Sequence, residues 1–360
     1  MRTCCVNRLE KSSIICCIMQ DIISPCVDKK KGCELINSII AWIGGKRSLR
    51  EIIYERIPCE FDRYIEVFGG AGWVLFGMPD HIRKRYCMEV YNDYNSNLTN
   101  LFACIRDKPL SFIKELGFLP LHSREEFKIL RDFIKQEIFL QDYGTEKELA
   151  TMLLEPPQCE EVIEILQERA ERYDVQRAVS FFKLIRYSYA GSTTSYSCKP
   201  FNVRNTFGMI WDASIRLSGT CIENKDFEAL IRQYDRPDAF FYCDPPYFET
   251  EDYYDVDFST EDHQRLRNVL GTIQGRFLLS YNDCTYIREL YKDCHIESVE
   301  RTNNMLQRYE GGSTFQEVLI SNYDTSERRK SRGEQISLFT AAYAAERNQE
   351  NETTDNEHDE

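Results

Sequence analysis

The nine residues AFFYCDPPY, 239–247, decide how the rest of the chain is read. Ala239-Phe240-Phe241-Tyr242-Cys243 is an unbroken apolar run of strand length, which reads as a strand buried on both faces. Asp244 ends it. Pro245 and Pro246 follow; neither can donate a backbone hydrogen bond, so their carbonyls have no competing donors beside them. Tyr247 then offers a flat ring. Ligands of open α/β sheets collect beyond the carboxyl ends of the strands. An acid, fixed carbonyls and a ring at such an end are acceptors aimed at one point. They suit a planar group bearing an exocyclic amine. The amine donates two hydrogen bonds, its lone pair leaves conjugation, and its ring stacks on Tyr247. A nitrogen held this way attacks an electrophilic methyl carbon. A chance Pro-Pro turn is the competing reading, and the apolar strand before it weighs against that.

Working outward, Tyr64-Ile65-Glu66-Val67-Phe68 is a strand running into Gly69-Gly70-Ala71-Gly72. Glycines after a strand let backbone approach a ligand, although turn chemistry explains them equally well. Arg85 to Val90 is a second strand, ending at Asn92-Asp93. An acid roughly twenty residues beyond a glycine loop can accept from a ribose; the alternative is a helix cap, since Asn95-Ser96 follow. Further strands fall at Thr220–Ile222, Phe277–Tyr281, His295–Val299 and Gln316–Ser321. Helical stretches alternate with most of them, and Ser259 with Asp262 marks one helix start. Alternation of this kind predicts an α/β sheet with helices on both faces. Between Ser96 and Tyr187 the chain is helical and charged, broken at Pro156-Pro157. Ser188 to Asn205 is rich in Ser, Thr, Tyr and Gly. The expected organisation is a discontinuous domain, 36–95 and 215–323, carrying a mainly helical insert with a hairpin at 96–214. Residues 1–35 have no readable pattern.

Formal net charge is −14. Part of it is a tail: residues 341–360 hold seven acids against one arginine, a net of −6, with no apolar period. Residues 324–360 therefore read as a disordered acidic tail. A nucleic-acid partner would have to be met by a local basic face rather than by global charge. The 15 cysteines show neither a CxxC pair nor a zinc spacing. The thiols read as reduced and the protein as cytoplasmic. Ile14 to Met19 is too short for a membrane span.

Elements in the family's order together resemble the Dam-type (D12 class) DNA adenine N6-methyltransferases, within the Rossmann-like class I S-adenosylmethionine fold. Asp244-Pro245-Pro246-Tyr247 matches their DPPY catalytic motif, and YIEVFGGAGWVLF, 64–76, their S-adenosylmethionine motif. Trp42-Ile43-Gly44-Gly45-Lys46 matches an N-terminal element. Asn92-Asp93-Tyr94-Asn95 and Asn224-Lys225-Asp226-Phe227 match acidic steps, and EVLISNY near the end resembles the last strand. The likeness spans about residues 36 to 323. It implies methyl transfer from S-adenosylmethionine to N6 of an adenine flipped out of duplex DNA, without a metal. It implies that Trp42, Lys46 (near the donor's carboxylate), Phe68, Gly69, Gly70, Gly72, Asp93, Asp226, Phe227 and Asp244 form the cofactor site. Asp244, Pro245 and Pro246 would then hold the target amine, and Tyr247 would stack on the base. Core packing competes for Trp42 and Phe227, and a solvated surface for Lys46.

The insert would read DNA through a hairpin within Arg186–Asn202. Arg186, Lys199 and Asn202 are its candidates for guanine edges or phosphates. Tyr187 or Tyr189 would fill the gap left by the flipped base. The family's Arg-Tyr-Asn appears here as Arg186-Tyr187-Ser188, so the target sequence is left open. Gln335-Ile336-Ser337-Leu338-Phe339 resembles the peptide that docks bacterial proteins onto the replication sliding clamp. A monomer is expected, of orphan, phage-like or restriction-modification type. The alternatives are N4 methylation of cytosine, where a serine more often replaces the acid, an RNA substrate, and a catalytically idle DNA-binding module.

Overall fold

The computed structural model describes residues 37–42, 44–83, 87–117, 121, 123–135, 150–172, 175–197, 201–248, 258–302 and 314–330. Seven strands form one sheet: β1 (Arg63–Glu66), β2 (Met88–Asn92), β3 (Thr220–Glu223), β4 (Ala239–Cys243), β5 (Arg276–Asn282), β6 (His295–Thr302) and β7 (Thr314–Ser321). Their order is β3-β2-β1-β4-β5-β7-β6. The first five are parallel, and β7 enters antiparallel between β5 and β6. This is a mixed, helix-flanked α/β sheet, as the alternation of strands and helices leads one to expect, and it agrees with the Rossmann-like class I fold that the resemblance implies.

The AFFYC run is β4, paired with β1 on one side and β5 on the other. All five of its residues are buried. Alternation sends Phe240 and Tyr242 into the core on one face, and Ala239, Phe241 and Cys243 into the core on the other. Each fully buried Phe contributes about 1.5–3 kcal/mol of apolar transfer, so β4 anchors both layers. The second layer is covered by the helices Phe227–Tyr234, Thr260–Leu270 and Thr285–Leu290. Ser259 and Asp262 close the expected capping box at the start of the middle one.

The first layer is covered by helices from both ends of the 96–214 segment. Leu98, Leu101, Phe102, Ala103 and Ile105 of the Ser96–Asp107 helix are all fully buried against the sheet. The Phe207–Leu217 helix adds Ile210, Ala213 and Leu217. Its Arg216 forms a buried two-pronged ion pair with Glu89 of β2, at 2.7 and 2.9 Å, and also donates to the Leu75 carbonyl. A separate small core of Leu121, Phe127, Leu184 and Tyr187 marks the part of the segment standing away from the sheet. At the other end of the chain, ordered contacts continue into 324–330. Arg328 donates to the carbonyls of Ile57 and Pro58, and Tyr323 to that of Arg56. Among the described residues no helix is long and apolar enough to cross a membrane. Residues 1–35, Lys199 and Gln335–Phe339 lie outside the described residues.

Candidate active site

Parallel strands end their backbone ladders together, so the residues following β1, β2 and β4 converge at one edge. Asn92, at the end of β2, ties these ends: its amide donates to the carbonyls of Val67 and Lys225 and accepts from Lys225 N. The glycine loop then turns beneath it. Gly69 N donates to Asn92 O, and Gly70 takes a φ of +51°, where a side chain is strained. Gly72 lies just behind, against Phe76. Asp93 is not the helix cap. Asn95 caps the Ser96–Asp107 helix, while Asp93 accepts from Gly70 N at 2.8 Å and Asn95 N at 2.7 Å. Burial pushes its carboxyl up to about 6, against the pull of those two backbone donors.

Asp244 lines the same cavity. Lys46 Nζ stands 2.7 Å from its Oδ1, and Ser280 of β5 donates to the same oxygen at 2.9 Å. Lys46 is 3 % exposed, which removes the solvated-surface reading, and it reaches the acid of the DPPY loop. Burial raises the Asp244 carboxyl above its ordinary range, opposed mainly by Lys46. Tyr247 donates its hydroxyl to Glu317 of β7 at 2.6 Å, and the Lys46 ammonium lies over its ring, 4.6 Å from the centroid. Asn282 of β5 donates to the Phe248 carbonyl, so two strands hold the loop.

Part of the lining is aromatic. Phe227 lies 5.6 Å from both Phe68 and Phe258, ring centre to ring centre. Asp226 caps the Phe227–Tyr234 helix through Oδ1, which also accepts from Arg265. The Arg265 guanidinium covers the Phe227 ring at 4.8 Å. Trp42 combines two contacts. Its ring meets Phe181 of the core at 5.8 Å, and it also edges the cavity.

The hairpin expected to read DNA also lines the cavity. Ser188 and Tyr196 bridge, Tyr189 N donates to Ser195 O, and the turn between them brings Gly191, Ser192 and Thr194 to the cavity wall. Gly191 sits at φ +76°, and a Cβ there would overlap the Ala41 carbonyl beside Trp42. Gly191→Ala is expected to lower stability by about 1–3 kcal/mol, from left-handed strain and a displaced turn. Calorimetry checks it, with Gly208→Ala as control, since a Cβ at Gly208 meets nothing within 4 Å. Tyr187 is buried against Phe201, whereas Tyr189 is 49 % exposed. Arg186 lies over the rings of Phe182 and Phe201. Asn202 caps the short turn Val203–Thr206.

The cavity measures about 490 Å³, within the range of small-molecule sites. Glycine backbone, an aromatic wall and carboxylates fit a nucleoside carrying a cationic amino-acid arm. Sequence reasoning passed over Glu66, Ser280 and Glu317. The available signal was polar residues inside otherwise apolar strands, in YIEVF, FLLSY and QEVLIS. Glu66 is 2 % exposed on the cavity wall and accepts from the Tyr64 hydroxyl. Burial pushes its carboxyl up to about 8, which favours the neutral form.

Comparison with known proteins adds a family. A family model described as D12 class N6 adenine-specific DNA methyltransferase matches residues 42–305. A type II methyltransferase of Lactococcus lactis subsp. cremoris, M1.LlaDCHI, is 25 % identical over 305 residues, 78 % of this chain and 94 % of the relative. M.CviBI of Paramecium bursaria Chlorella virus NC1A is 24 % identical over 258 residues, 70 % of this chain and 85 % of its own. The DNA N-6-adenine-methyltransferase of Escherichia phage P1 is 27 % identical over 284 residues, 73 % of this chain but 32 % of its own length.

Proposed function

We infer, from the premise that this chain belongs to the D12 class N6 adenine-specific DNA methyltransferases, how its cavity methylates adenine N6 in DNA. The N4-cytosine and idle-module alternatives are not favoured by that membership. When bound, S-adenosylmethionine supplies a methyl carbon made electrophilic by its sulfonium. We assign its nucleoside end to the aromatic wall of Phe68 and Phe227, with Asp93 and Asp226 as acceptors. Trp42 and the Gly69–Gly72 loop close over it.

The observation that carries the reading is the way Asp244 is held. Lys46 and Ser280 both meet Oδ1. We assign Oδ2, together with the Pro245 carbonyl, to the two hydrogens of the adenine amine, with Pro246 fixing the backbone between them and Tyr247. Adenine N6 is hidden in a duplex, so the base leaves the stack, which costs a few kcal/mol. Fixed acceptors hold the amine for attack and are already placed where positive charge grows on N6. An Asp244 carboxyl raised by burial is also the better acceptor for the proton that N6 must lose.

In this reading the 96–214 segment recognises DNA. Tyr189, the exposed tyrosine of the hairpin, fills the gap left by the base, and Arg186, Tyr187 and Asn202 shape the hairpin while Lys199 meets DNA. Labelled S-adenosylmethionine on unmethylated plasmid, followed by modified-base sequencing, tests the site. Methyl adenine at one short sequence, lost in Asp244→Ala, supports it; transfer surviving in that variant overturns it. The reading extends to a monomer whose Gln335–Phe339 segment docks on a sliding clamp. Phe339→Ala is then expected to abolish clamp pull-down while short duplexes are methylated as before, and equal pull-down would sink the docking role.

A further inference from the structure

Glu317 is a carboxylate in the interior of an apolar strand. It is 2 % exposed on β7, the strand that runs antiparallel beside β5. Burying an acid is expensive unless it is compensated. Its compensation is directed at the catalytic loop. Oε2 accepts the Tyr247 hydroxyl at 2.6 Å and lies 3.9 Å from Lys46 Nζ. The same ammonium reaches Asp244 at 2.7 Å and sits over the Tyr247 ring. A buried acid, Glu317, and a half-buried one, Asp244, therefore share one lysine. A neutral Asp244–Lys46 pair would offer little field to a nitrogen becoming cationic, because the two charges nearly cancel at a distance. A second carboxylate leaves the group with a net negative charge next to the acceptor.

We propose that Glu317 is a positioning residue for methyl transfer, holding the Tyr247 ring through its hydroxyl and drawing on the charge of Lys46 so that Asp244 faces the target amine as an effective anion. This rests on the reading of Asp244 given above. Among the described residues, the ionisable groups around Asp244 are Lys46, Glu317, Glu66 on β1, Tyr242 and Cys243 on β4, and Tyr247. Lys46 lowers the Asp244 carboxyl and Glu317 raises it. Removing the Glu317 charge should therefore move the acidic limb of the rate profile to lower pH.

Glu317→Gln keeps an acceptor for Tyr247 and deletes the charge. At saturating substrates its kcat is expected to fall about 10- to 100-fold, less than for a group in direct contact with the reacting atoms. KM for DNA and donor affinity should stay within about threefold, since the lost interaction acts in the transition state. The acidic limb should move to lower pH. A wild-type kcat, or a loss with an unmoved limb, overturns the proposal. If the Gln variant does not fold, Glu317→Asp decides. With the charge retained, its limb should stay in place and its kcat above about a tenth of wild type; a displaced limb overturns the proposal. Asp244→Ala run alongside separates the two readings. If it keeps full activity the site assignment fails, whereas an inactive Asp244→Ala beside an unaffected Glu317→Gln removes only the role of Glu317.

Discussion

Replacing Asp244 by Ala is expected to lower the methyl-transfer rate by on the order of 10³, about 4 kcal/mol of transition-state stabilisation. The substitution removes an acceptor for the target amine and the proton acceptor in one step. Folding should suffer far less. Burial already penalises the Asp244 charge, and its loss leaves Lys46 with the second acid, Glu317, at 3.9 Å. Single-turnover kinetics with binding of donor and duplex measured separately would check this. A rate loss with both affinities within about threefold is the signature of an interaction made in the transition state. A parallel collapse of binding would place Asp244 in ground-state recognition instead. Asp244→Asn is a finer probe: its amide keeps one acceptor oxygen but cannot take a proton, so it should remain well below wild type.

The second large effect is on stability against pH. Glu66 has a folded carboxyl near 8, against an ordinary 4.5, because it is buried beside β4. The sign follows directly. Between these values the folded chain holds a proton that the unfolded chain releases, so folding loses stability as pH rises from about 4.5 to about 8. At about 1.4 kcal/mol per unit of pKa shift, the loss amounts to roughly 3–5 kcal/mol at its full extent. Glu66→Gln keeps a neutral group that accepts the Tyr64 hydroxyl and removes the titration. Chemical denaturation from pH 5 to 9 should show the variant gaining on the wild type as pH rises to about 8 and holding its lead above that. Asp93, pushed up to about 6, bends both curves alike at the acid side. Equal slopes for the two proteins would mean that Glu66 is ionised in the folded state and that its charge is compensated there.

Both effects depend on acids whose burial changes what they do, and that division runs through the whole molecule. The strands were legible because their signal is local. AFFYC is apolar over a strand's length, YIEVF runs into glycine, and Ser259 with Asp262 marks a helix start within a few residues. Ordered motifs placed Asp93, Asp226 and Asp244 after strands, and parallel strands bring their ends to one edge whatever the loops between them. The amino-acid sequence by itself thus determined the fold class, the place of the Asp244–Tyr247 loop at a strand end and the family to which the chain is similar.

The tertiary structure decided the partnerships. Nothing near Lys46 in the chain indicates that it meets Asp244 rather than solvent, and nothing near Glu317 indicates that β7 slips between β5 and β6 to face Tyr247. The hairpin within Arg186–Asn202 is expected to read DNA, and its turn also packs on Ala41 and walls the cavity, because Gly191 lets two backbones touch. The helices at the ends of the insert read as part of a separate unit, yet they cover the sheet, tied there by Arg216 and Glu89. Propensity and hydrophobic pattern are summed over neighbours in sequence. Charge pairing, desolvation and close backbone contact depend on neighbours in space, and those are fixed only once strand order and register bring distant residues together.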